Sequence, residues 1–253
     1  IITIAFNNAA DIEPTLRSVI EQDYPDIEYI VVDGASTDGT LDVIARYESD
    51  IDHVISEPDN GMYEAINKGI SAATGDIFGL IHAGDQLYSR RVISKVAAKF
   101  LASEADVIYG HSVLVNSKGQ AVRVNKSPGF SKKLVQRGWM PSHQSIYMKT
   151  PIVRENGAYR QDIGQNGDYE FFLRYFFKHD LHIERLDDFM IRFSLGGTST
   201  TNYHRLWQRQ KIHANCWRLN GINPPKTLIP MKLARKAPQF IRGIFWRLAE
   251  SRK

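Results

Sequence analysis

The sequence predicts an α/β protein, a mostly parallel sheet flanked by helices. Two observations carry that prediction. Over the first 110 residues, short β-rich runs alternate with amphipathic helical stripes, the rhythm of right-handed strand–helix–strand units. The 253 residues are 43% apolar and 24% charged, ordinary values for a chain that buries a full core unaided.

Ile1–Phe6 reads as the first strand. Asp11 is placed to cap a helix with Pro14 in its first turn, where a missing N–H costs nothing, and Leu16, Val19 and Ile20 form its stripe. Tyr29–Asp33 is a buried strand ending in a turn over Gly34–Gly39. Leu41, Ile44 and Tyr47 mark a second helix and Val54–Ser56 a third strand. Met62, Ala65, Ile66 and Ile70 stripe a third helix ending near Gly75. Ile77–Ile81 is a fourth strand, Val92 to Phe100 a fourth helix and Val107–Tyr109 a fifth strand.

After Gly110 the rhythm changes. His111–Val115 and Gln120–Val124 flank a turn-rich tetrapeptide and predict a hairpin. His143–Lys149 predicts a strand, Tyr169–His179 a helix, and His182–Arg185 and Met190–Ser194 two strands. Leu206–Leu219 and Met231–Ala249 predict helices. The expected division is a domain over 1–200, with halves 1–110 and 111–200, and a basic helical extension over 201–253.

Charge separates the halves. Residues 1–110 hold 7 Lys/Arg against 19 Asp/Glu, and residues 111–253 hold 25 against 9. Different partners are expected for the two. Cys216 is the single cysteine, which excludes a disulfide framework and a CxxC pair. No apolar run reaches the ~18–20 residues of a bilayer span. Ile1-Ile2-Thr3-Ile4 opens on strand-like sequence without an initiator Met or a charged leader, so a trimmed chain rather than a signal peptide is expected.

In open α/β sheets ligands sit beyond the carboxyl ends of the strands. Phe6–Asp11 contains no glycine, which excludes a G-x-G-x-x-G dinucleotide site, and no P-loop is present. What remains is a set of polar segments after strands. Asn7-Asn8 follows the first, and Asp33-Gly34-Ala35-Ser36-Thr37-Asp38-Gly39 the second. Asp59-Asn60-Gly61-Met62-Tyr63 and Asn67-Lys68-Gly69 come next, then His82-Ala83-Gly84-Asp85.

In order and spacing these segments resemble the sugar-nucleotide-binding half of inverting family 2 glycosyltransferases. Those enzymes share the Rossmann-like GT-A fold. The nearest flavour is the bacterial group that builds capsule, colanic-acid-like and lipopolysaccharide sugars. The resemblance implies a nucleotide-sugar donor held by Ala5, Asn7, Asp33, Gly61, Tyr63, Asn67, Lys68 and Gly84. It implies a divalent cation, Mn or Mg, at Asp85, where the family closes the fourth strand with an acid pair and this chain keeps only the last acid. His82 in that segment is read as packing or as a ligand. Asp168, in Gln165-Asn166-Gly167-Asp168-Tyr169-Glu170, resembles the acid that opens the family's acceptor-side helix. It is the expected general base, its place at a helix start favouring the ionised form. His143, Gln144 and Glu170 are expected on the acceptor side, and Ser194–Ser199 resembles a glycine-rich loop over the diphosphate.

From Lys226 to Lys253 there are 8 Lys/Arg and one acid, interleaved with Phe240, Ile244, Phe245, Trp246 and Leu248. A basic amphipathic helix of that kind predicts an anionic membrane surface, with packing on the domain as the alternative. Nucleic acid lacks a supporting motif. The expectation is a cytoplasmic enzyme at the inner face of the cell membrane, glycosylating a lipid-linked glycan. A sugar-nucleotide nucleotidyltransferase and a non-catalytic binding subunit are the rivals.

Overall fold

A computed structural model describes residues 1–194, 205–228, 230–231 and 246. Nine strands form one sheet among the described residues: β1 (Ile2–Ala5), β2 (Ile30–Asp33), β3 (His53–Ser56), β4 (Ile77–His82), β5 (Gln86–Leu87), β6 (Val107–Val115), β7 (Ala121–Asn125), β8 (Ile146–Lys149) and β9 (Ile183–Ser194). Their order is β3-β2-β1-β4-β8-β6-β9-β5, with β7 also on β6. The pairs β1–β2, β1–β4, β2–β3 and β6–β9 are parallel. Those of β4 and β6 with β8, of β6 with β7 and of β5 with β9 are antiparallel. β1–β4, β6 and β9 therefore share one direction, which is the expected parallel framework. The fifth predicted strand does not sit beside the fourth, because β8 is threaded between them.

Helices α1 (Ile12–Ile20), α2 (Thr40–Ala45), α3 (Met62–Ala72) and α4 (Val92–Leu101) supply the crossovers. Their stripes meet the alternating faces of the strands. Ile30 and Val32 join one core with Ile66 and Ile70, and Val31 joins the other with Leu16, Val19 and Ile44. Ile2, Leu16 and Ile66 have no exposed surface, worth about 1.5–3 kcal/mol each in apolar transfer. Gly69 lets α3 lie against β1, since a Cβ there would come within 2.4 Å of Ile2 Cγ2.

Several boundaries differ from the prediction. Asp11 precedes α1 but its side chain makes no capping bond. The strand expected from His143 starts at Ile146, because His143–Ser145 form a 3-10 turn. The two strands expected over 182–194 are one strand. β6 pairs along it with register shifts around His111, which absorb the Asp187-Asp188 interruption of the apolar pattern. The helix expected at Tyr169 begins at Gly167 as α7 (Gly167–Leu173) and widens into a π turn over Arg174–Lys178, with His179 N bonded to Arg174 O. Three short elements carry too little periodicity to predict: β5, α5 (Lys132–Gln136) and α6 (Thr150–Asn156).

Helix α8 (Arg205–Leu219) docks on α7. Trp217 is fully buried and its indole N–H donates to Tyr169 Oη at 3.0 Å, so this part of the predicted extension shares the main core. The predicted helix over 231–249 lies almost wholly outside the described residues. Trp246 is described, with its ring 5.0 Å from Phe189. No described helix is long and apolar enough to cross a membrane.

Candidate active site

The carboxyl ends of β1, β2 and β4 open on one side of the sheet, and the sequence-predicted residues gather there in two groups. The first is a pair of interlocked loops after β1 and β2. Asn7 and Ala35 both adopt left-handed backbone, φ 50° and 59°. Asn7 N donates to Ser36 Oγ at 2.8 Å, and Thr37 N donates to Asn7 Oδ1 at 2.9 Å. Asn8 N and Ala9 N bond Thr40 Oγ1 and Asp38 Oδ2. Asn7 is thus held by side chain and backbone at the rim.

Asp33, expected to meet base or ribose, has no exposed surface. Its carboxylate accepts from Ser36 N at 2.9 Å and Ser56 Oγ at 2.9 Å, and also from Ser36 Oγ. It organises the turn. Ala5 is buried, its carbonyl taking Gly34 N at 2.9 Å. Phe6, which lies outside the predicted donor set, is 61% exposed at this rim, far more than any other large apolar side chain around it.

Helix α3 holds three of the residues expected at the donor, and each has protein partners. Asn67 makes a reciprocal pair with the Tyr159 backbone, both bonds 2.8 Å. Lys68 Nζ donates to Pro58 O at 2.8 Å and pairs with Glu57 at 3.0 Å. Both line an open surface depression with Ile55, Ser71 and Gln161. Tyr63 is buried and points its hydroxyl at Asp168 Oδ1, 3.2 Å away. Gly61, at φ 122°, starts the helix, with its N–H on Asp59 Oδ1 at 2.8 Å.

The second group lies at the end of β4. Gly84, at φ 93°, turns the chain so that Asp85 faces inward, and Thr15 Oγ1 fixes the turn from α1, accepting Gly84 N at 2.9 Å and donating to Asp85 O at 2.6 Å. Asp85 Oδ2 accepts Gln144 Nε2 at 2.7 Å, and Oδ1 accepts Ser194 N at 3.0 Å. Burial pushes its carboxyl up to about 6, against the pull of those two bonds. Gln144 is itself buried, and its Oε1 accepts His82 N at 3.0 Å. His82 and His143 face each other, Nε2 to Nε2 at 3.1 Å. Burial, then the neighbouring His143, holds His82 well below the usual histidine range. Burial lowers His143 too, with the Asp168 charge opposing. A neutral pair can share one N–H between two ring nitrogens.

Asp168, in the first turn of α7, is bonded to Tyr63 and acts on His143 through its charge. Glu170 does not belong to this group. It is buried in a two-pronged ion pair with Arg174, at 3.1 and 3.0 Å, and accepts Asn220 Nδ2 at 3.2 Å. Arg174 in turn caps the carbonyls of Asn156, Gly157 and Ala158. That cluster anchors α7 to α6 and α8. Of the loop expected over Ser194–Ser199, only Ser194 is described, with its Oγ on Gly84 O at 2.7 Å; the rest lies outside the described residues.

Among the described residues no three His, Cys, Asp or Glu side chains are grouped to hold a metal ion alone. The donor set fits a cation that is shared with a substrate. Asp85 has one bond accepted on each oxygen and a lone pair left on each, and Mg²⁺ commonly takes one or two carboxylates, phosphate oxygens and waters.

Comparison with known proteins gives the chain's family and relatives. The family model described as glycosyl transferase family 2 matches residues 1–161. An uncharacterised glycosyltransferase of Mycobacterium tuberculosis is 32% identical over 180 residues, covering 69% of this chain and 67% of that protein. A PGL/p-HBAD biosynthesis glycosyltransferase of Mycobacterium bovis is 28% identical over 180 residues, covering 70% and 68%. Among solved structures, Staphylococcus aureus TarS in complex with UDP-GlcNAc superposes with a TM-score of 0.70 at 17% identity, covering 92% of this chain and 71% of that one. In a longer TarS structure the chain spans 38% of the length. The mannosyltransferase PcManGT of Pyrobaculum calidifontis, in complex with GDP-Man and Mn²⁺, gives 0.60 at 21%, covering 98% and 74%. The fold is that of the GT-A enzymes.

Proposed function

The chain belongs to glycosyl transferase family 2, and on that premise we propose that it moves one sugar, with inversion, from a nucleotide-diphosphate sugar to a hydroxyl of a glycan acceptor. The observation that carries this reading is the convergence at the end of β4. Asp85 is bonded to Gln144, Gln144 to His82 N and His82 to His143, and the charge of Asp168, 83 positions along the chain from Asp85, acts on His143 from α7. Inversion needs one base and one leaving-group site, and two carboxylates in separate surroundings supply them.

In this reading the nucleotide lies on the loops after β1 and β2, with Asn7 at the rim and the exposed Phe6 offering an apolar face to the base. The diphosphate lies toward Gly84 and Asp85. A divalent cation held by Asp85 would neutralise the departing diphosphate as a Lewis acid. Asp168 takes the proton of the acceptor hydroxyl as that oxygen attacks the anomeric carbon. The diphosphate leaves with the electrons of the broken bond. His143 and Gln144 line the seam between the two carboxylates. Residues 1–110 serve the donor and 111–200 the acceptor.

The acceptor is a lipid-linked glycan in cell-surface polysaccharide synthesis, a reading supported by the relative named for PGL/p-HBAD biosynthesis. The basic tail would hold the enzyme at the anionic inner face of the membrane, at about 1 kcal/mol per Lys or Arg near the surface. Trp246, packed on Phe189, is taken up by the domain. Loss of binding to phosphatidylserine vesicles on removing 240–253 supports the tail's role, and unchanged binding refutes it.

Calorimetry with UDP, GDP, CDP and dTDP, each with and without Mn²⁺, tests the function. Metal-enhanced binding of one nucleotide, lost in Asp85→Asn, is the expected result. Binding of none of the four by the folded chain overturns the reading.

A further inference from the structure

We propose that Tyr63 is a positioning residue for the base, its hydroxyl orienting the Asp168 carboxylate and tying it to the donor-side turn at Asp59–Gly61. This rests on the assignment of Asp168 as the base.

The ring of Tyr63 has little freedom. One neighbour is Tyr159, stacked at 5.7 Å between centroids and 9° between planes, and Tyr159 is itself stacked on Phe171 at 4.0 Å. Another is the backbone of Gly167, where a Cβ would come within 2.8 Å of Tyr63 Cε2. Glycine is required there because the chain entering α7 runs directly against the ring. So clamped, the phenol delivers its O–H to Asp168 Oδ1 at 3.2 Å. Burial, then the Asp168 charge, pushes the phenol far above its ordinary range, so it remains a donor throughout the working pH range.

Asp168 Oδ1 also accepts Tyr169 N at 2.8 Å. Both described bonds to this carboxylate therefore fall on one oxygen. Oδ2 is left without a donor among the described residues, and it is the oxygen that receives the acceptor's proton. The titratable groups facing Asp168 are Tyr63 from α3, Tyr159 from the segment before α7, and His143 from the turn before β8. Tyr159 is held far up and His143 is held down, both by burial, so neither changes charge near neutral pH.

The link to the donor is the helix itself. Tyr63 follows Gly61 by two residues, and the turn before it is fixed by Gly61 N on Asp59 Oδ1 and Asn60 on Glu64. A sugar nucleotide that displaces this turn moves the start of α3, and with it the hydroxyl that aims the base.

The test is Tyr63→Phe in the full chain, with Asp168→Asn beside it, both followed by single-turnover rates across pH. The ring and its stacking survive in Tyr63→Phe, and Asp168 Oδ1 keeps its bond from Tyr169, so the variant folds. A hydroxyl bond favours the ionised carboxylate. Its loss is expected to lower the rate about tenfold at neutral pH, across the whole profile. The donor KM should change less than about twofold, since that contact acts on orientation rather than on ground-state binding. A Tyr63→Phe profile superimposable on wild type, with Asp168→Asn inactive, overturns the role of Tyr63 and leaves the base in place. Near-normal rates in Asp168→Asn overturn both.

Discussion

The ends of β2 and β4 flank β1, and each is closed by an aspartate that the structure uses differently. Asp33 takes its partners from nearby: Ser36 three residues on and Ser56 at the end of the next strand. It has no exposed surface, and its oxygens accept three hydroxyl and amide donors, two on Oδ2 and one on Oδ1. Asp85 takes its partners from 59 and 109 residues away, Gln144 and Ser194. It stays partly open, and its charged form is disfavoured by burial. A strand-end acid is a turn former when its own loop supplies the donors. It becomes a candidate ligand when distant segments hold it without exhausting its lone pairs.

If that contrast is right, Asp85→Asn has the largest effect. Charge stabilisation worth several kcal/mol is lost with the carboxylate, so turnover should fall by about 10³ or more while the fold persists. A rate within tenfold of wild type, measured with saturating Mn²⁺, would make Asp85 another structural acid.

Asp33→Asn should show the opposite profile. Buried bonds to a charged acceptor are lost, at about 1–3 kcal/mol of stability by urea unfolding. Nucleotide affinity per folded molecule should stay within a few-fold. A large loss of affinity without loss of stability would put Asp33 in the donor site.

The smallest effect is on the pH dependence of stability. His82 and His143 stay neutral in the folded chain, whereas unfolded histidines take up a proton near pH 6.5. The unfolded state therefore binds more protons below that value, and the pair's contribution, full above about pH 6.5, is lost as pH falls. Asp85 works the other way. Its folded value of about 6 exceeds the ordinary 3.8, so its contribution grows as pH falls between the two. Relative to wild type, His82→Asn should therefore gain stability at pH 5, and Asp85→Asn should lose it. Parallel urea curves for all three proteins at pH 7.5 and 5 would remove both claims.

The sequence located the turn after β4 and the start of α7, but not which side chains of α3 or α7 face the site. Asp85 follows the carboxyl end of a strand and Asp168 opens a helix, positions that periodicity identifies, whereas His143 and Gln144 lie in the turn before β8, which antiparallel pairing brings to the end of β4. Asn67, Lys68 and Tyr63 share a helix with the donor-side turn. Which side of that helix meets the site depends on its rotation against β1 and β2, and that is fixed by Ile2, Val32 and Gly69. Glu170 carried a readable signal of its other use in Arg174, four residues on, the spacing of a helical ion pair. Phe6 was legible only as an apolar residue; its exposure became evident once the strand ended at Ala5.

The amino-acid order alone determined the alternating framework, the direction of its first four strands and the acids placed at their ends, because strand and helix periods and turn chemistry act over a few residues. Tertiary structure decided that β8 would enter between β4 and β6, bringing His143 and Gln144 to Asp85. It also decided that Tyr63 would face Asp168 across 105 positions. Such contacts depend on how whole elements pack, and no local pattern encodes the distance between groups that packing alone brings together.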